Sequence, residues 1–292
     1  MIKRAIVATD LSQASDIMVE NLEFLKEFGV KELLLLQCPD YQEVASEVFP
    51  YVATAQAAAI EDQKQVLESL GFKVESRIAP GSAKREINKI AEKEDFPLVV
   101  VGSQGHSLIG GAFLGGVAHE VMLRAKRPLL IVRLTIDEDG KLKSIGLSKE
   151  GVTNHLLYAT DFSPGAKGVV HYLKKILRTE NVKKLTLLHV QDRSRIEPYL
   201  VERVDEFNVE DTKRLNKLKK EFSAIENLKI DVKLLYGDPH VEIMRELEDS
   251  GASMIIMGTQ GRGFLRELFV GSVSQYIARK ATVPVLLIPY TE

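Results

Sequence analysis

Met254-Ile255-Ile256-Met257-Gly258-Thr259-Gln260-Gly261, closed after nine intervening residues by Gly271-Ser272, is the stretch whose reading decides the fold. An apolar run of β-type residues empties into glycines, and the pattern ends where a helical stretch begins. A tight turn leaving a strand exposes backbone N–H groups, and a helix N-terminus adds unpaired donors and partial positive charge. The same separations recur at Gly102, Gly105 and Gly115, after the apolar run Leu98 to Val101. One Gly-x2-Gly is ordinary turn punctuation. Two full copies, each leaving a strand and leading into a helix, point to a repeated phosphate-binding module.

The repeat divides the chain. With 292 residues, 45% of them hydrophobic, the sequence can bury two cores of ordinary size. We read a first domain at 1–136, a linker at 137–151 and a second domain at 152–292. The linker reading rests on a polar, charged stretch from Thr135 punctuated by Gly140, Gly146 and Gly151. The formal net charge of -2 arises from charges scattered along the chain, which lacks the electrostatic footprint of a nucleic-acid binder. Cys38 stands alone, as fits a reducing cytoplasm. No apolar run reaches the roughly 18 residues of a membrane span. The N-terminal Met-Ile-Lys-Arg-Ala-Ile-Val-Ala meets Asp10 too early for a signal peptide and reads as a first strand.

Short β-rich runs alternate with longer helical patterns, the mark of βαβ units around a parallel sheet. The expected strands are Arg4 to Ala8, Glu32 to Gln37, Lys73 to Ile78, Leu98 to Val101 and Pro128 to Val132. Those of the second half are His155 to Ala159, Lys184 to His189, Lys229 to Leu235, Met254 to Met257 and Pro284 to Ile288. The long pattern before each third strand is helical: Ile60, Leu67 and Leu70 share a face, as do Val204, Leu215, Leu218 and Phe222. The fold class is therefore α/β, two tandem doubly wound domains.

Each first strand ends in a Thr-Asp pair, Thr9-Asp10 and Thr160-Asp161, followed by a serine suited to cap a helix. Ser163-Pro164 reads as an N-cap with proline at the first helical position. Ligands of open α/β sheets sit beyond the carboxyl ends of strands where strand order reverses. With the first and fourth strands adjacent, Asp161 would face the Gly258 loop across a crevice. There it would accept a ribose hydroxyl or hold a magnesium ion; the alternative is that it caps the next helix. Gly261 would let the backbone approach phosphates, Arg262 would add a charge, and Ser272, Val273 and Ser274 would offer hydroxyls and N–H groups at the start of the last helix. In the first half Gly116 and Ala118 stand where Ser272 and Ser274 would. That copy is either a weaker site or a structural relic.

Thr-Asp after the first strand, Leu187-Leu188-His189-Val190 in the second, and Gly258-x2-Gly261-x9-Gly271-Ser272 before Pro284-Val285-Leu286-Leu287-Ile288 together resemble the universal stress protein family. The likeness covers nearly the whole chain as a tandem pair. It implies five-stranded parallel sheets in the order 3-2-1-4-5, with ATP or AMP bound between the first and fourth strands. It also implies that Val190 lies against the adenine, with Cys38 at the matching place in the first half. The resemblance further implies pairing of final strands, Pro128 to Val132 with Pro284 to Ile288, as an internal pseudo-dimer, with a homodimer or an unknown protein as further partner.

The six histidines, His106, His119, His155, His171, His189 and His240, show no paired metal-ligand spacing, so no metal is expected beyond magnesium carried by a nucleotide. A Walker-type Gly-Lys-Ser/Thr is absent, which argues against fast hydrolysis. The function that the family resemblance implies is that of an adenine-nucleotide-binding regulatory protein of the stress response. Two alternatives stay open: a slow ATPase or self-phosphorylating protein using Asp161 and Ser272, and a scaffold that has kept only the fold.

Overall fold

The structure, a computed structural model, describes residues 2–40, 48–104, 114–136, 142–144, 151–179, 181–192, 201–261 and 270–290. The chain divides into two compact units, Met1–Ile145 and Gly146–Glu292. The first contains β1 (Arg4–Thr9), α1 (Gln13–Glu20), a 3-10 segment (Leu22–Phe28), β2 (Glu32–Gln37), α2 (Phe49–Ser69), β3 (Lys73–Ile78), α3 (Ala83–Lys93), β4 (Val99–Gly102), α4 (Gly116–Leu123) and β5 (Leu129–Val132). All its sheet pairings are parallel, in the order β3-β2-β1-β4-β5. A small antiparallel ribbon follows, β6 (Leu134–Ile136) with β7 (Leu142–Ser144). The ribbon occupies part of the stretch whose composition reads as linker.

The second unit repeats the plan with β8 (His155–Ala159), α5 (Ala166–Ile176), β9 (Lys184–Gln191), a 3-10 turn (Val201–Arg203), α6 (Val204–Phe222), β10 (Lys229–Tyr236), α7 (Pro239–Ser250), β11 (Met254–Gly258), α8 (Ser272–Lys280) and β12 (Val285–Ile288). Its order is β10-β9-β8-β11-β12, again parallel. Each unit therefore has the doubly wound 3-2-1-4-5 sheet.

Strands covered on both faces read as continuous apolar runs, because neither face meets water. All five residues of β8 and all four of β12 are buried. The outer strands β3 and β10 instead carry Lys73, Glu75 and Arg77, and Lys229, Asp231 and Lys233, and are partly exposed. Charges on an outer strand discourage unwanted pairing. Helices bury one seam each: Ile60, Gln63 and Leu67 of α2, and Asp211, Leu215 and Phe222 of α6. A glutamine and an aspartate sit in these otherwise apolar seams at corresponding places, four residues before a fully buried leucine.

Strand ends fall within two residues of those read from sequence. The N-terminal signal of α5 does not. The helix begins at Ala166 with Gly165 as its N-cap, so Ser163-Pro164 lies in a turn ahead of it rather than at its start. Ser12 and Ser163 make the same N–H bond to the preceding aspartate, at 3.1 and 2.9 Å, and differ in the hydroxyl: that of Ser12 accepts from the Ser15 N–H and caps its helix, whereas that of Ser163 is turned to the Gln260 carbonyl at 3.4 Å. Where the expected chemistry does operate, it caps α1 through Ser12 and α7 through Asp238, the latter with Pro239 at the first helical position.

Candidate functional site

The two units build the same turn after their first strand. In the second, Thr160 Oγ1 accepts from the Phe162 N–H at 3.1 Å while Asp161 Oδ1 accepts from the Ser163 N–H. In the first, Thr9 Oγ1 accepts from the Leu11 N–H at 3.0 Å while Asp10 Oδ1 accepts from both the N–H and the hydroxyl of Ser12. The residue between each pair of bonds, Phe162 or Leu11, has φ of 58°. A side chain in that left-handed region costs on the order of 1–2 kcal/mol, and the two side-chain hydrogen bonds offset it. This is what the Thr-Asp pair does structurally: it fixes a strained turn at the carboxyl end of the strand.

β8 neighbours β11, so connections leave these strands in opposite directions and open a crevice at their carboxyl ends. Across it, a Cβ added to Gly261 would stand 2.6 Å from Asp161 Oδ2. That is closer than a real side-chain contact, so only glycine lets the loop lie against this carboxylate. One Asp161 oxygen holds its own turn and the other faces the loop; the turn lies ahead of α5, whose N-cap is Gly165 with no side-chain cap, so Asp161 does not cap that helix.

Beyond the loop, the Gly271 N–H donates to the Thr259 carbonyl at 2.7 Å, and the first helical bond of α8 runs from the Gln275 N–H to the Gly271 carbonyl at 2.9 Å. The N–H groups of Ser272, Val273 and Ser274 therefore precede the first turn's acceptors and have no intrahelical partner. Ser272 is exposed. Ser274 is buried, and its hydroxyl donates to the Gly258 carbonyl at 2.7 Å. The expectation of a free donor at Ser274 is thus corrected: its proton holds the loop to the helix. On the other side of β8, Val190 is buried within β9.

The first unit keeps this backbone frame. Its Gly115 N–H donates to the Ser103 carbonyl at 2.8 Å, and the His119 N–H to the Gly115 carbonyl at 2.9 Å. Its Gly102 is crowded, with Gln104 O, Leu134 Cδ1 and Met18 Sδ all within 3.4 Å of an added Cβ, whereas Gly116 has nothing within 4 Å. Cys38 is half-buried, and burial, helped by Glu86, pushes its thiol up to about 12. A thiol held up in this way stays protonated near neutral pH and is a poor nucleophile. Gly105, Arg262 and His106 lie outside the described residues.

The universal stress protein family matches this chain twice, at residues 1–133 and 153–289. The chain belongs to the universal stress protein family. Universal stress protein MJ0577 of Methanocaldococcus jannaschii is 32% identical over 151 residues, which is 46% of this chain and 93% of that protein. Universal stress protein Rv1636 of Mycobacterium tuberculosis is 30% identical over 142 residues, 46% of this chain and 97% of its own. These relatives each correspond to about half of the chain. A universal stress protein from Archaeoglobus fulgidus, solved by crystallography, covers 100% of this chain and 98% of its own with a TM-score of 0.76; at 24% identity it speaks for the fold.

In this tandem universal stress protein, reading the sequence missed a polar cluster behind the Thr160 turn. His189, Gln191 and Asp211 are all buried, with Gln191 Nε2 donating to Asp211 Oδ2 at 2.8 Å. His189 reads as an ordinary core histidine, and Asp211 as one acid of a charged helix. The available signal was spacing: Asp211 lies four residues before Leu215, on the apolar seam. Among the described residues no group of three or more His, Cys, Asp or Glu side chains could hold a metal ion. No helix among them is long and apolar enough to cross a membrane.

Proposed function

We propose that the second unit binds an adenine nucleotide, ATP or AMP, in the crevice between β8 and β11. The observation that carries this reading is the approach of Gly261 to Asp161, which sets a residue without a side chain against a carboxylate beside the open N-terminus of α8. Phosphates would lie against the Gly258–Gly261 turn and the N–H groups of Ser272, Val273 and Ser274, where the helix dipole favours negative charge. The Ser272 hydroxyl would add a donor from the exposed side, and Arg262 a charge. Asp161 Oδ2, already turned toward the loop, would accept a ribose hydroxyl or take part in holding nucleotide-bound magnesium. Val190 would form the apolar wall against the base, as the family resemblance implies.

The residues fit the ligand because each does one job and none competes. Ser274 and Gly271 hold the loop, Thr160 and Ser163 hold the turn, and Gly261 leaves the space. The first unit has the same frame without the Ser272 hydroxyl, and we assign it weaker binding. Family membership places the chain among stress-response proteins, and a binding-dependent regulatory role suits a site with acceptors and donors but no Walker lysine. Mass spectrometry of nucleotide carried through purification tests the assignment directly. ATP or AMP near one per chain is expected, and a protein that carries none and takes up neither on titration would overturn it.

A further inference from the structure

The Thr160 carbonyl lies 2.7 Å from His189 Nδ1. A carbonyl oxygen only accepts, so Nδ1 carries a hydrogen. Nε2 of the same ring stands 3.4 Å from Asp211 Oδ2, an oxygen that also accepts from Gln191 Nε2. A neutral ring would turn a lone pair either on the carbonyl or on the carboxylate. Only the imidazolium places a hydrogen toward both. The ring also stacks on Phe162, with centroids 4.7 Å apart, and the Arg214 guanidinium lies 5.6 Å from the Phe162 ring centroid. His189 therefore touches the strained turn at two points, the Thr160 carbonyl and the Phe162 ring, on either side of Asp161.

We propose that His189 and Asp211 are positioning residues for the ligand of the second unit: protonated His189, held by Asp211, fixes the Thr160–Ser163 turn and thereby sets Asp161 against the Gly261 loop. The ligand half of this inference rests on the nucleotide reading above, while the charge state of His189 stands on geometry alone. Among the described residues, the charged groups include Asp211, which faces Nε2, and Arg214, which lies over Phe162, both from α6, with Asp161 in the turn that Phe162 belongs to. On β10 its register partner is Leu234, and the adjacent Lys233 is directed to Glu246 of α7 at 2.7 Å. Removing the proton leaves a buried carboxylate facing a lone pair, which loosens the turn. The first unit has Gln37 and Gln63 at the matching places, with the Thr9 hydroxyl donating to Gln63 Oε1 at 2.7 Å and Gln63 Nε2 donating to Asp16 Oδ1 at 2.6 Å, an arrangement that contains no histidine. A response to pH carried by a histidine at this place is thus a property of the second unit.

Two measurements on the full chain test this. Nitrogen-15 shifts of His189 in the free protein report its protonation directly, and both ring nitrogens are expected in the protonated range at neutral pH, moving to neutral values in Asp211→Asn. Titration of AMP between about pH 6 and 9 gives the second readout. Affinity of the unaltered chain is expected to fall about three- to tenfold more than that of His189→Gln across this range, with phosphate ionisation common to both. A neutral His189 at about pH 6, or parallel affinity profiles in the two proteins, would overturn the positioning role alone. AMP that binds at no pH would overturn the nucleotide reading and this role together.

Discussion

Asp161 and Gly261 meet at the carboxyl end of the second sheet, where Asp161 Oδ2 occupies the space a Cβ on Gly261 would need, 2.6 Å away. The other Asp161 oxygen is committed to the Ser163 N–H, so the carboxylate cannot swing aside without giving up the turn. Gly261→Ala is therefore expected to shift Asp161 and weaken nucleotide binding about tenfold, which is about 1.4 kcal/mol, with far-UV circular dichroism unchanged. Equal affinities in calorimetry would remove the loop from the account.

Ser274 should behave as a loop-holding residue. Its buried hydroxyl satisfies the Gly258 carbonyl, and Ser274→Ala leaves that acceptor short of a partner at a cost of about 1–3 kcal/mol. Denaturant unfolding should show the loss in the second unit, whereas Ser272→Ala, at an exposed position, should leave stability within about 0.5 kcal/mol. The opposite ranking would return Ser274 to the role of a free donor.

Gly116 has open space around it. Gly116→Ser should be accommodated and raise stability by about 0.5 kcal/mol by restricting the unfolded chain, besides supplying the hydroxyl that the first unit lacks. Gly102→Ser, into crowded surroundings, should destabilise. Thermal unfolding of the two variants side by side checks the contrast.

His155 is buried against Thr186, and burial, with Lys184 nearby, lowers its proton affinity to about 4 from an ordinary 6.5. Between those values the unfolded chain binds the proton and the folded one does not, so stability falls as pH falls through that window, by up to roughly 3 kcal/mol from this group. His155→Gln should flatten the slope between about pH 6.5 and 4 in denaturant titrations. An unchanged slope would mean that the ring takes up its proton as readily in the folded protein as in the unfolded chain.

The Cys38 thiol, pushed up to about 12 by burial and by Glu86, should react with iodoacetamide at mildly alkaline pH far more slowly than in the unfolded chain. Equal rates would show an accessible, ordinary thiol.

The sheets were legible because parallel strands have no polar face to hide. Leu33 to Leu36 and Val285 to Ile288 read as strands at sight, and adjacency of the first and fourth strands placed Asp161 opposite the glycine loop before any coordinates. Side-chain direction was not legible. Ser163-Pro164 has the chemistry of a helix start, but the Ser163 hydroxyl is turned to the Gln260 carbonyl rather than to a helical N–H, and the helix starts at Ala166. Ser272 and Ser274 look alike in sequence, yet two residues along a helix turn roughly 200°, so one faces solvent and the other the loop. Asp211 escaped notice because a lone acid among many on a charged helix signals nothing until its seam is counted through Leu215.

The proposed nucleotide site of the second unit stands on Asp161, the Gly258–Gly261 turn and the start of α8. Calorimetric titration of ATP, AMP and GTP into the unaltered chain and into Gly261→Val tests it most directly. Binding of an adenine nucleotide in preference to GTP is expected, with the tightest phase lost in Gly261→Val while the fold persists. Identical isotherms for the two proteins would contradict it.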